Sequence, residues 1–214
     1  MMRNQLEVQS VEEILYSFEL EMNNRDMSTE CIEDICSIDF IKATFVEKIL
    51  NDLRFLVSIQ KCREFKIRYE NILLRSIVEQ IIKFAYMVKH PDIISDFVGM
   101  KIDTDSQGFE CTDDEQPSQI LYKLKQLGQL RGKMIDVSAM AIKIGEKDSD
   151  HREDRLSLYD IYGLLSDEMH NSYYKSILDD AEELDDPEEY KKYGDTFQCL
   201  LLRMMLDAFW SYFQ

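Results

Sequence analysis

REFKIRYENILLRSIVEQIIKFAYMVK, residues 63–89, is apolar on more than one side at helical spacing. Its most persistent stripe runs through Tyr69, Ile72, Leu73, Ile77, Ile81 and Phe84. A helix with so broad an apolar surface is surrounded by others, so this one is expected at the centre of a bundle. His90-Pro91 ends it, because the residue before proline avoids the α region.

Outward from this stretch the same periodicity recurs. Ser10 with Glu13 forms a capping box ahead of Val11, Ile14, Phe18 and Met22, which predicts a first helix to about residue 24. A second helix becomes clear at Asp39 and carries Ile41, Phe45, Ile49, Leu53 and Leu56 to about residue 58. On the other side, Ser118 opens a predicted helix that passes Gly128 and Gly132 and ends at Gly145, a natural glycine for the left-handed cap. Ser157 and Asp160 cap the next, predicted to about residue 177. A last helix from Glu188 to Phe213 is expected to turn Phe197, Leu201, Met204, Ala208 and Tyr212 inward.

The chain has 214 residues, with few turn formers (Gly 7, Pro 3) and hydrophobic residues at 45%. These features predict an all-α bundle of about six helices in a single domain. Residues 1–60 supply its N-terminal helices and 63–214 its main bundle, with 101–117 as a flexible acidic loop.

A formal net charge of −17 means that the average surface repels phosphate and anionic lipid, which disfavours RNA as a general partner. No apolar run approaches the ~20 residues of a membrane span, and the start lacks the apolar core of a signal peptide, so a cytoplasmic protein is expected. The five cysteines form no CxxC pair and the three histidines lie far apart, so neither a metal site nor a cofactor is implied. The aromatic end, with Phe209, Trp210, Tyr212 and Phe213 around one helix, suggests a homo-oligomer or a protein partner held through the C-terminal helix.

Polar chemistry gathers on two helices. Arg75 and Glu79 lie four apart and are hemmed in by apolar neighbours, and buried charges are costly unless paired. In SLYDIYGLLSDEMHNSYY, residues 157–174, Tyr162, Ser166 and His170 recur every four residues along one stripe beside an apolar one. They are natural third partners for the arginine and glutamate. Arg131 and Lys133 belong to the most basic portion of the chain and are candidates for guiding a phosphate backbone. Arg203 and Asp207, four apart on the last helix, are expected to form an ordinary ion pair.

The pairing of RSIVEQIIKFAYMV with YGLLSDEMHNSYY resembles an uncharacterised family of bacterial all-helical proteins in which an arginine-glutamate helix meets a tyrosine, serine and histidine helix. That family is similar in style to the HEPN domains, many of which are metal-independent RNases of toxin-antitoxin and phage-defence systems. The resemblance spans about Arg63 to Tyr174. It implies RNA cleavage in which His170 takes the 2′-hydroxyl proton and Arg75 stabilises charge on the phosphate. Glu79 would orient the arginine, and Tyr162 or Ser166 would contact substrate or hold the imidazole. HEPN nucleases carry an arginine a few residues ahead of the histidine on the same helix. Here that helix has none, so the cation has to come from Arg75. The alternative is a non-catalytic interaction or ligand-binding module in which the same five residues form a structural network.

Overall fold

A computed structural model of the chain describes residues 10–25, 36–61, 67–94, 135–145, 156–169 and 187–213. Within them the chain forms α1 (Val11–Asn24), α2 (Ile38–Lys61), α3 (Ile67–Lys89), α4 (Val137–Lys143), α5 (Leu158–Met169) and α6 (Pro187–Ser211). A single 3-10 turn, Pro91–Ile93, follows α3, and no strand occurs among the described residues. The all-α class is therefore established.

The local signals act as their chemistry demands. Ser10 Oγ accepts the Glu13 N–H at 3.2 Å while the Glu13 carboxylate accepts the Ser10 N–H at 2.8 Å, closing the capping box of α1. Ser157 and Asp160 make the equivalent exchange at the start of α5. His90, at φ −131° and ψ 67°, leaves the helical region ahead of Pro91, and α3 stops at Lys89.

One predicted element is corrected. The helix expected to run unbroken from Ser118 to Gly145 is interrupted, because Asp136 is extended (ψ 149°) and serves as the N-cap residue of a short α4. Its carboxylate accepts from the Ser138 hydroxyl, the local bonding by which aspartate and serine compete with a continuous helix. Gly128, Gly132 and the acidic loop 101–117 lie outside the described residues. Gly145 does end α4, at φ +86°. A Cβ there would meet nothing within 4 Å, so the requirement for glycine is one of backbone conformation alone. Gly145→Ala is expected to lose about 1 kcal/mol in urea unfolding, and Gly145→Asn less.

α3 is the centre. It packs against α2, α4, α5 and α6, and Leu74, Ile77, Ile81, Ile82, Phe84 and Ala85 are fully buried. A strip through Ile72, Ser76, Glu79 and Lys83 reaches solvent, so Ile72, read from the sequence as part of the core stripe, instead lies on the surface. α2 runs antiparallel to α3, with Asp52 against Ser76 and Phe45 against Phe84. α6 runs parallel to it, with Gln198 beside Asn71 and Phe209 beside Phe84. α1 is antiparallel to α2 and parallel to α6, fixed by Glu19–Arg54 and Glu12–Lys61 on one side and Phe18–Phe209 on the other. Side chains from all six helices share one hydrophobic core.

The inward face of α6 is broader than the one expected: Leu201 and Ala208 are buried and Met204 and Tyr212 pack against the core, but Phe197 is exposed, and Gln198, Leu202, Met205 and Phe209 are buried as well. The aromatic end points inward. Phe209 and Phe213 are buried against Phe84, while Arg25 lies over the Trp210 and Phe213 rings and Lys42 over Phe213.

Candidate functional site

Arg75 and Glu79 stand one turn apart on α3, on the side that meets α5. The cap at Ser157 sets the phase of α5, burying Leu158, Ile161 and Leu165 and leaving Tyr162 half-buried beside them. Arg75 Nη2 then lies 3.3 Å from Glu79 Oε1 and donates to Tyr162 Oη at 3.3 Å. The guanidinium carbon is 5.3 Å from the centre of the Tyr162 ring, so the cation meets both the face and the hydroxyl of one tyrosine. Lys83 Nζ approaches Glu79 Oε2 at 3.7 Å from the other direction. One carboxylate is thus bracketed by two cations.

Ser166 is on the same stripe but not in the cluster. Its hydroxyl donates at 2.6 Å to the Tyr162 carbonyl, the back-bond that serine makes inside helices. His170, Arg131 and Lys133 lie outside the described residues. Of the sequence-predicted site residues, the structure brings together Arg75, Glu79 and Tyr162.

The chain matches no family model, no curated protein and no solved structure.

The magnitudes are those of a helix clamp. Side chains of Arg75 and Glu79 retain 20% and 28% of their exposure, so their attraction is partly screened. A helical ion pair contributes about 0.3–0.5 kcal/mol and a cation-π contact about 0.5–1 kcal/mol. Arg75→Ala, which also removes packing of the aliphatic stem, is expected to lower the unfolding free energy by about 1–2 kcal/mol. Tyr162→Phe, which keeps the ring, should lose only about 0.5 kcal/mol. Equal losses in thermal melts would show that the hydroxyl, not the ring face, holds the arginine.

A second polar seam flanks the exposed strip of α3 on the opposite side and escaped the sequence reading. Asp52 Oδ2 on α2 accepts from Ser76 Oγ at 2.8 Å and from Gln80 Nε2 at 2.7 Å. Deeper, Gln198 Nε2 donates to Asn71 Oδ1 at 3.3 Å between α6 and α3, with both residues buried. Asp52 had a signal, since it lies between Ile49, Leu53 and Leu56 on a helix otherwise apolar on that side. Gln198 had none, because leucines and methionines on both sides of α6 hide which stripe is inward.

Among the described residues no group of three or more histidine, cysteine, aspartate or glutamate side chains is placed to hold a metal ion. No helix among them is long and apolar enough to cross a membrane.

Proposed function

We propose that this chain is a non-catalytic helical interaction module in which Arg75, Glu79 and Tyr162 form a structural clamp between α3 and α5. The supporting observation is the engagement of Arg75 Nη2, which lies between Tyr162 Oη and Glu79 Oε1 while the guanidinium carbon sits over the Tyr162 ring. A catalytic arginine keeps donors aimed at the place where charge develops on a substrate. Ser166 has likewise spent its hydroxyl on the backbone. In this function the acidic surface favours a basic partner, and α6 supplies part of the contact.

One observation favours a second reading. Two cations, Arg75 and Lys83, flank Glu79 on the helix that supplies the arginine in the HEPN-like resemblance. In a metal-independent RNase of a bacterial defence or toxin system, His170 would act as the base and Arg75 would face the phosphate. Arg131 and Lys133 would guide the backbone.

Incubation of the purified protein with total RNA in chelator separates the two. Intact RNA is expected for wild type, His170→Ala and Arg75→Ala alike, with only a stability loss in the arginine variant. Products ending in 2′,3′-cyclic phosphate, absent from both variants, would replace the module with the nuclease.

A further inference from the structure

Four large apolar side chains left in solvent lie at one height across three neighbouring helices. Tyr16 (68% exposed) and Leu20 (50%) are one turn apart on α1, Phe55 (57%) is on α2 and Ile72 (37%) is on α3. α2 packs between α1 and α3 and runs antiparallel to both. Bonds between the helices fix the register. Glu19–Arg54 sets Leu20 level with Phe55. The bond from Ser76 to Asp52 sets Phe55, three residues beyond the aspartate, level with Ile72, four residues before the serine. Helical phase fixes the direction: Arg54 faces α1 and Asp52 faces α3, so Phe55 points outward between the two seams. Tyr16 and Leu20 lie on the side of α1 opposite buried Ile14 and Phe18.

Area and charge select what covers this band. The exposed parts of the four side chains amount to roughly 450 Å², a size at which apolar surface on a single chain marks an interaction site. With the polar groups around them the face approaches the about 800 Å² per partner that a stable dimer covers. The net charge of −17 is not seated here. Residues 101–117, 146–154 and 179–189 carry −5, −3 and −8 of it, whereas α1, α2 and α3 together hold nine acidic and eight basic side chains. Beside the band the charges are already joined, Glu19 to Arg54 and Glu12 to Lys61. A basic partner is drawn by the field of the acidic stretches rather than by this balanced face. A second copy presents the same apolar band and the same balanced charge, and repulsion between the remaining charges is screened beyond about 8 Å at physiological ionic strength.

We propose that this chain forms a two-fold homodimer through the outer face of α1, α2 and α3, with Phe55 at its centre. An isologous contact sets the same patch against itself. The band lies at one height with α2 in its middle, so an axis along α2 makes it self-complementary. Phe55 then meets its equivalent in the other copy, and Tyr16 and Leu20 of each copy cover Ile72 of the other. The assembly goes beyond the proposed function, since it is the same for an interaction module or a nuclease, and it does not use α6.

Sedimentation equilibrium of the full chain over about 1–100 μM should show a monomer–dimer equilibrium with a Kd of about 10 μM, the weak end for a face of this size. Phe55→Glu enters the contact twice and should weaken association at least about 100-fold while leaving the thermal melt unchanged. Leu20→Glu, farther from the axis, should weaken it about tenfold. Phe197→Glu, also at an exposed apolar position but on α6, should leave the equilibrium as it is. Loss of the dimer in Leu20→Glu with a normal melt supports the proposal even where Phe55→Glu lowers stability. A chain that stays monomeric across this range would leave the band to a different protein and overturn the proposal. A dimer that both band variants leave intact, or one that Phe197→Glu abolishes, overturns it as well. RNA cleavage bears on the proposed function alone, so the two failures are distinguishable.

Discussion

Phe84→Ala should lower the unfolding free energy by about 3–5 kcal/mol, the range for deleting a fully buried aromatic side chain. The Phe84 ring is fully buried, 4.9 Å from Phe209, 5.2 Å from Phe213 and 5.8 Å from Phe45. It thereby joins α2, α3 and α6 through one side chain. The alanine variant loses apolar transfer energy, the aromatic contacts and the packing of a cavity wall shared by three helices. For a chain of this size the melting temperature should fall by about 10 °C, whereas Phe84→Leu, closer in volume, should lose about 1–2 kcal/mol. A loss under about 1 kcal/mol for alanine would mean that the ring cluster does not carry the core.

Asp52→Ala should have the second largest effect, about 2–3 kcal/mol, although aspartate is an ordinary surface residue by type. Its carboxylate accepts from Ser76 and from Gln80, and Gln80 Oε1 is already buried without a hydrogen-bond partner. Removing the acceptor leaves the Ser76 hydroxyl without its Asp52 partner and the Gln80 amide with only the 3.2 Å bond to Ser76 Oγ between α2 and α3. The cost belongs to the stranded donor rather than to the bond itself, so Asp52→Leu combined with Gln80→Leu should recover most of it. Urea unfolding of the two single variants and the double variant measures the coupling. Strict additivity would show that the side chains act independently.

The two perturbations differ in how far the sequence foretold them. Phe84 lies on the stripe that marks α3 as central, and a helix apolar on several sides has to be buried whatever its neighbours are. Asp52 stands out among Ile49, Leu53 and Leu56, but its partners, Ser76 and Gln80, appear only when α3 is laid against α2. The candidate site divides similarly. Arg75 with Glu79 follows from a spacing of four on one helix, and Tyr162 was a natural partner on chemical grounds. That Tyr162 receives both the hydrogen bond and the cation, while Ser166 bonds its own helix, depends on how α3 and α5 cross. His170, Arg131 and Lys133 remain sequence candidates outside the described residues.

By itself the sequence determined the all-α class, the capping boxes at Ser10 and Ser157, the stop at His90-Pro91 and the glycine at 145. Each is written in interactions that span a turn or less. Only the tertiary structure decided that α6 buries Gln198 and exposes Phe197, and that the aromatic end turns inward beneath Arg25 and Lys42. It also left Arg203 and Asp207, expected from their spacing to pair, both exposed and without an ion pair between them. The physical reason is the same in each case. Where a helix is apolar on several sides or polar groups have several reachable partners, local energies are nearly degenerate, and packing against the neighbouring helices selects among them.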